Sequence, residues 1–270
     1  MRLAVLVVTF ICANWMIPSW ARDGIEVGGN SAFTKLVSAD QVEDSAVQQY
    51  AQMMEQAQSK GALAPANHSQ VVRLRAIAKK IIPFSYEWNP RARSWKWEVN
   101  LIASNQVNAF CMPGGKIAFY TGLLDMLKLT DDEVAMVMGH EVAHALREHA
   151  RERMGKNAAT GIGANLLSQV LGFGQVGQTV TSYGAQLLTL KFGREDESEA
   201  DLVGMDLAAR AGYDPRAGVS LWRKMSEANQ SAPPQWLSTH PSGKTRIADI
   251  EANLPKVLPL YDRTKSGKPS

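Results

Sequence analysis

The stretch VMGHEVAHALREH, residues 137–149, holds three of the five histidines in this 270-residue chain. His140 and His144 stand four residues apart, so on a helix both rings lie on one face and their nitrogens can converge on one metal ion. Glu141 follows the first histidine and can reach a water molecule beside that ion. The alternative interpretation is a solvated helix face.

The sequence around these histidines predicts a capped and partly buried helix. Thr130 and Glu133 form a capping-box pattern that starts a helix, and Gly155 predicts its end. Apolar residues surround the histidine pair: Val137, Met138 and Val142. A solvated helix would more often carry charge there. The pattern therefore favours a zinc site in which Glu141 takes a proton from water whose pKa zinc has lowered to about 7.

A catalytic zinc site needs a third protein ligand and one open position. His149 lies five residues beyond His144, roughly 500° around a continuous helix, so we expect it at the surface or in a layer behind the ligands. In the segment 193–204, Glu197 and Asp201 share one helix face. If Glu197 binds the metal, Asp201 can accept a proton from the far nitrogen of a ligand histidine. The remaining glutamates are expected to be solvated: Glu195 and Glu199.

Two alternatives stay open for this acidic segment and its metal. Acids at a helix start are also favoured by the helix dipole without any metal. Two histidines and a carboxylate can hold iron, cobalt or manganese as well as zinc, so zinc is an interpretation from ligand type.

The N-terminus has the pattern of an export signal. A positive start and an apolar run over residues 3–11 precede small residues at Ser19 and Ala21. We expect residues 1–21 to be a signal peptide cleaved after about Ala21, with an uncleaved membrane anchor as the alternative. The apolar run is shorter than the ~20 residues that a spanning helix needs. Cleavage would leave Cys111 as the one cysteine, expected to be a small buried apolar residue.

Periodicity and turn residues give a coarse α+β fold, mostly α-helical, with a small β-sheet between about 95 and 121. Helices are predicted over about 38–60, 67–83, 130–155, 194–212, from 214 onward, and over 243–253. Extended pieces are predicted over 94–102 and over 108–124, the latter with a turn at Pro113-Gly114-Gly115. Residues 231–242 read as a loop, and residues 255–270 as a polar tail.

Composition and charge exclude some partners. An apolar content of 45% suits one globular domain, and a net charge of +3 without a dense basic run argues against nucleic acid. The segment 157–193 is apolar but broken by glycines, which predicts helices over the core. Contact of this segment with a membrane surface is the alternative.

Four motifs, in this order, resemble the HExxH gluzincin metallopeptidase family that includes the prenyl-protein endopeptidase, HtpX, BepA and LoiP. They are NAFCMPGGKIAFYTGLL (108–124), HEVAHALREHARER (140–153), REDESEAD (194–201) and STHPSGKTRI (238–247). The resemblance covers about 105–250 and implies a zincin-like domain over 61–254, after a lead-in and helix over 22–60. It implies that the small sheet packs on the metal-binding helix. Without spanning helices after residue 21, the chain is most similar to the soluble periplasmic branch.

The resemblance also implies roles for individual residues. One zinc ion per chain would be bound by His140, His144 and Glu197, with Glu141 as general base and Asp201 behind the ligands. The strand at Asn108, Ala109 and Phe110 is similar to an edge that pairs with extended substrate. His240 would stabilise the oxyanion or occupy the open metal position and hold the enzyme latent, with a plain structural role as the alternative. Arg246 would pair with acidic groups near the site.

These features together predict an exported zinc endopeptidase of the periplasm. Its substrates would be unfolded or misassembled envelope proteins, with peripheral contact to the membrane or to outer-membrane proteins as a further partnership. The alternative is a latent chaperone or assembly factor with a metalloprotease fold, inhibited by its own His240.

Overall fold

The computed structural model describes residues 23–160, 190–231, 235–240 and 245–267. The predicted signal peptide and most of the segment 157–193 lie outside these residues. Among the helices that are described, none combines the length and apolar composition needed to cross a bilayer. The fold class is confirmed: the described residues are mostly helical, with one three-stranded sheet.

The elements follow one another in the chain with these bounds. Short 3-10 helices cover Ala32–Leu36 and Pro90–Arg93. The strands are β1 (Glu98–Ile102), β2 (Ala109–Met112) and β3 (Lys116–Tyr120). The helices are α1 (Ala39–Ser59), α2 (Ser69–Ser85), α3 (Thr121–Leu127), α4 (Asp131–Leu146), α5 (His149–Ala159), α6 (Arg194–Arg210), α7 (Ala217–Ser231), α8 (Gln235–Thr239) and α9 (Arg246–Lys265).

The sheet has the order β1-β3-β2, with β1 parallel and β2 antiparallel to β3. The predicted strand over 94–102 begins only at Glu98, because its partner β3 starts at Lys116 and offers nothing for earlier residues to pair with. The predicted turn is present, and Gly115 has φ +77° there. A Cβ on Gly115 would lie 2.7 Å from the Trp97 ring, so only glycine fits.

The first two helices match the prediction except at the ends of α2. Ser38 caps α1 as expected. His68, not Asn67, caps α2, and Pro83 lies inside the helix instead of ending it. A proline removes one helical hydrogen bond, but the helix continues for two residues beyond Pro83. In this last turn Ser85 Oγ donates to the Ile82 carbonyl at 2.6 Å.

Helix α4 is buried along nearly all of its length and packs against α6. The predicted capping box of Thr130 and Glu133 is present. Where the two helices cross, a Cβ on Gly204 would lie 2.5 Å from the backbone nitrogen of His140. A Cβ on Gly139 would lie 2.5 Å from the carbonyl oxygen of Gly204. The two backbones are therefore in direct contact beside the first histidine.

The predicted helix over 130–155 is two helices. α4 ends at Leu146, Glu148 has a left-handed φ of +57°, and α5 starts at His149. The Glu148 carboxylate accepts hydrogen bonds from Asn30 and Arg151, which hold this corner in place. Side chains after the corner therefore do not follow the face that a continuous helix would give them.

The C-terminal part of the chain corrects two predictions. The loop predicted over 231–242 contains α8, because the Trp236 side chain is fully buried and anchors a helical turn. The polar tail predicted over 255–270 is, as far as Lys265, the second half of α9. Pro255 and Pro259 lie within that helix, and the burial of Val257 and Leu260 against the core keeps it packed.

Candidate metal centre

Two helices bring three predicted ligands together. His140 and His144 lie one turn apart on α4, both buried, with their Nε2 atoms 3.0 Å apart. Glu197 comes from the first turn of α6, where its carboxylate oxygens lie 3.7 Å from His140 Nε2 and 3.5 Å from His144 Nε2. With His240, which follows α8, these residues offer ligand atoms that all lie within 4.8 Å of one another.

The donor set fits a metal ion. Two buried atoms in the cluster, Glu197 Oε1 and His240 Nε2, have no hydrogen-bond partner. A buried polar atom left without a partner costs about 1–3 kcal/mol, and coordination of a cation would satisfy both. Two imidazoles and one carboxylate, with a fourth position held by another nitrogen or by water, are typical ligands of catalytic zinc.

The electrostatics of the cluster also suit a cation. Burial lowers the pKa of His140 to about 4 and that of His144 well below its usual value, so both rings are neutral and have lone pairs to offer. Burial raises the pKa of Glu197 to about 9, although Arg246 opposes this. A bound divalent ion would be the largest local charge and would favour the ionised carboxylate.

Asp201 and Arg246 fix the first ligand from behind. Asp201 Oδ1 lies 3.0 Å from His140 Nδ1, so His140 carries its proton there and turns a bare Nε2 toward the cluster. Arg246 donates to Asp201 at 2.6 Å and to Glu197 at 2.5 Å. Burial alone would raise the pKa of Asp201, but Arg246 and His140 lower it to about 2. The guanidinium itself lies 3.7 Å above the Trp222 ring.

Glu141 lies beside the ligands, with one carboxylate oxygen hydrogen-bonded and the other facing His240. Trp236 Nε1 donates to Oε1 at 2.5 Å, and His240 Nε2 lies 3.6 Å from Oε2. Burial raises the pKa of Glu141 to about 8, while the Trp236 hydrogen bond opposes the shift. Sequence reasoning did not predict a role for Trp236. The one signal for it was a single tryptophan in a stretch rich in serine and proline, where a large apolar side chain indicates burial.

His240 is aimed into the cluster by its surroundings. Its ring stacks on Trp236 with centroids 4.8 Å apart, and its Nδ1 lies 3.2 Å from the Trp236 carbonyl oxygen. Thr239 Oγ1 lies nearer, 2.9 Å from Nδ1, and donates its own proton to the same carbonyl. Both neighbours of Nδ1 therefore accept, so Nδ1 carries the proton and the unpartnered Nε2 has a lone pair. Burial lowers the pKa of His240 well below its usual value, which keeps the ring neutral.

A cavity of about 670 Å³, including the solvent at its mouth, leads to these residues along β2. Its walls include Asn108, Ala109 and Phe110, and Glu141 and His240 also line it. β2 is an edge strand, and its antiparallel register turns the peptide groups of Ala109 and Cys111 away from β3. The predicted substrate strand therefore borders the cluster with these peptide groups on its outer side, where the Ala109 N–H donates to Asn108 Oδ1 at 2.9 Å.

Three further expectations have an outcome. Cys111 is buried and free, as predicted, and burial raises its pKa well above the usual value. His149 lies in a layer behind the ligands, with its Nδ1 2.9 Å from His144 Nδ1. Glu195 is exposed as expected. Glu199 is not solvated: it is half-buried and hydrogen-bonded to Arg147, because the α4–α5 corner brings that arginine to it.

Comparison with known families decides the classification. The model of peptidase family M48 matches residues 68–254. The chain belongs to peptidase family M48. The resemblance seen in the four sequence motifs is thereby confirmed, and the domain is a zinc metalloendopeptidase domain whose ion would lie among His140, His144, Glu197 and His240.

Several curated relatives are similar to the M48 chain. The mitochondrial metalloendopeptidase OMA1 of Arabidopsis thaliana is 40% identical over 174 residues, which cover 64% of this chain and 35% of the relative. The metalloprotease LoiP of Escherichia coli is 28% identical over 236 residues, 86% of this chain and 88% of the relative. A beta-barrel assembly-enhancing protease of Yersinia pestis is 28% identical over 171 residues, which cover 59% of this chain and 35% of the relative. The chain spans less than two thirds of the mitochondrial relatives' length.

Proposed function

We propose that the protein is a zinc-dependent endopeptidase that hydrolyses peptide bonds in unfolded or misassembled proteins of the cell envelope. The observation that carries this proposal is the open edge of β2 beside the cavity that reaches Glu141 and the histidine cluster. An edge strand binds a partner through backbone hydrogen bonds, so it accepts many sequences but requires an extended segment. Unfolded chains offer such segments.

The location and the partners are also part of this proposal. The signal-like N-terminus and the bacterial relatives support export to the periplasm of a Gram-negative bacterium. One relative is named for β-barrel assembly, which supports substrates among envelope proteins. We also include in the proposal a peripheral contact of the protein with the membrane or with outer-membrane proteins. Failure of the mature chain to sediment with lipid vesicles would dismiss the membrane contact.

The proposed chemistry divides between the ion and the side chains. Zinc, when bound, supplies Lewis acidity that polarises the scissile carbonyl and lowers the pKa of water. Glu141 accepts the proton of the attacking water and delivers it to the leaving amine. Trp236 holds one oxygen of Glu141, which leaves the other oxygen to exchange protons. Asp201 and Arg246 keep His140 in its binding tautomer, and β2 holds the peptide in line.

A second candidate function is a latent chaperone or assembly factor with a metalloprotease fold. The observation that favours it is the His240 ring, whose Nε2 lies among the ligand atoms with no hydrogen-bond partner. With its proton on Nδ1, His240 offers a lone pair to the cluster and has no proton for an oxyanion. A fourth protein ligand would exclude water from the open position and suppress hydrolysis.

The first experiment is digestion of casein, an unfolded protein, by the purified zinc-loaded protein beside Glu141→Gln. We expect the wild type to cut and Glu141→Gln to be inactive, because glutamine cannot accept a proton. Equal cutting by both proteins would contradict the assignment of the base. Zinc binding without cutting by either would move the latent function ahead.

The variant His240→Ala separates the two candidate functions. If His240 holds the enzyme latent, its removal opens the fourth position and casein cleavage rises. If His240 assists the reaction, cleavage falls while zinc remains bound. Glu195→Ala is the control, since this exposed side chain lies outside the residues that line the cavity.

A further inference from the structure

The second ligand histidine has its own chain of buried partners, separate from Asp201. His144 Nδ1 lies 2.9 Å from His149 Nδ1, and His149 Nε2 lies 3.7 Å from Glu199 Oε2. His149 is 2% exposed. Arg147 donates from Nε to the other oxygen of Glu199 and from Nη2 to the Gly28 carbonyl. The chain thus runs from the metal cluster to a fixed backbone group.

The positions of the protons along this chain follow from the geometry. His144 Nε2 faces the cluster, so the neutral ring carries its proton on Nδ1. That proton needs an acceptor, and the atom at 2.9 Å is His149 Nδ1, which must then offer a lone pair. The proton of His149 is therefore on Nε2, on the side of the Glu199 carboxylate. His149 thus accepts from His144 and turns its own proton toward the Glu199 carboxylate, at an ion-pair distance of 3.7 Å.

The backbone is shaped to make this contact. On a continuous helix His149 would point roughly 140° away from His144. The left-handed residue Glu148 ends α4 and redirects the chain, which brings the two rings to a centroid distance of 4.9 Å. A left-handed backbone is unfavourable for a non-glycine residue, and the hydrogen bonds of Glu148 to Asn30 and Arg151 offset that cost.

We propose that His149 is a positioning residue for the zinc ligand His144, and that Glu199 and Arg147 hold His149 in turn. His149 would fix the tautomer and the rotation of the His144 ring, as Asp201 does for His140. This inference rests on the proposed function only in assuming that the cluster binds zinc. The alternative is that packing alone holds the His144 ring, since Phe192 stacks on it with centroids 4.0 Å apart.

Two variants of similar shape separate positioning from packing. His149→Leu fills the buried space but accepts no hydrogen bond, whereas His149→Asn places an amide oxygen near the former Nδ1. The readout is the zinc dissociation constant, measured by competition with a chelator. All proteins carry Glu141→Gln, so that self-cleavage cannot alter them during the titration. Thermal unfolding of the metal-free proteins checks that each is folded.

We expect His149→Leu to weaken zinc binding about 10–100-fold, the usual effect of removing a hydrogen-bond partner of a ligand. His149→Asn should recover most of that loss, although leucine is the better residue for a buried site. Equal zinc affinity of the two variants, or wild-type affinity in His149→Leu, would overturn the proposal.

A second pair of variants tests the outer link and replaces the first pair if those proteins do not fold. Glu199→Ala should weaken zinc binding about 10-fold, while Glu195→Ala, an exposed acid of the same helix, should not change it. Equal affinities of this pair would also count against the proposal. If the Glu141→Gln parent itself fails to bind zinc, the proposed function fails first, so the two failures are distinguishable.

Discussion

The two carboxylate oxygens of Glu141 face different side chains, Trp236 and His240. The indole N–H donates to one carboxylate oxygen at 2.5 Å, and the His240 Nε2 lies 3.6 Å from the other. Burial favours the neutral carboxyl and raises its pKa to about 8, while the indole favours the charged form. A general base must be charged before it accepts a proton, so Trp236 supports the form that the proposed reaction needs.

We therefore predict that Trp236→Phe lowers kcat about 10-fold or more, since one charge-assisted hydrogen bond contributes about 1.5–3 kcal/mol. KM should change little, because β2 and not Trp236 holds the peptide. Steady-state cleavage of a peptide substrate measures both constants. The control is Trp95→Phe, a buried indole whose N–H has no hydrogen-bond partner among the described residues. Equal losses in both variants would mean that the effect is packing.

Residue spacing revealed part of this site and could not reveal the rest. The pair His140 and His144 follows from helical periodicity, which is a local property. Trp236 lies 95 residues from Glu141, and no spacing rule joins them. Helical spacing places His149 at the surface or in a layer behind the ligands, but does not predict its contact with His144, because the helix is broken at Glu148.

At the level of elements, the start of α4 is tied to α7 by one side chain. Glu133 completes the capping box with Thr130, accepts from Ser220 Oγ at 2.7 Å and pairs with Lys224 Nζ at 2.7 Å. Burial would raise the pKa of this carboxyl, but Lys224, Thr130 and Ser220 together lower it. The charged form is therefore the one that the fold stabilises.

Glu133→Gln should accordingly lower the free energy of unfolding by about 1–3 kcal/mol at pH 7. A carboxyl whose folded pKa is depressed stabilises the fold above its unfolded pKa and loses this effect as the pH falls through the folded pKa. The difference between wild type and variant should therefore shrink below about pH 4.5, the ordinary value. Urea unfolding of the metal-free proteins from pH 7 downward measures it. A difference that does not depend on pH would contradict the role of the charge.

Element types were predictable from sequence where the signal is local. The capping boxes and the Pro-Gly-Gly turn set their elements without help from distant residues. The start of β1 was not predictable in this way, because it depends on where β3 begins. The length of helix α9 is not predictable for a similar reason. Its two prolines are a local signal for a helix end, whereas the helix continues because its second half is buried against distant parts of the chain.

Across the molecule, α9 connects the site to both ends of the described chain. Arg246, at its start, hydrogen-bonds Asp201 and Glu197, and Leu260, near its end, is fully buried. Leu260 shares the core with Ile25, whose backbone N–H donates to Asp206 on α6 at 3.0 Å. The region expected to be a polar tail is thus part of the core.

Leu260→Ala should lower the free energy of unfolding by about 2–5 kcal/mol, the range for a truncated core leucine. Lys256→Ala, an exposed position on the same half of the helix, should change it by less than about 0.5 kcal/mol. Urea unfolding followed by circular dichroism gives both values. A tail without structural role would leave the two variants equally stable.

The contact between Gly139 and Gly204 has a consequence for protein engineering. The helices that carry His140 and Glu197 touch through main chain, where a Cβ would come within 2.5 Å of the other backbone. The separation of the two ligand-bearing helices there does not depend on the size of any side chain. The surrounding core could therefore be redesigned for stability, or the binding cavity for a new cleavage preference, while this closest approach of the two helices is kept.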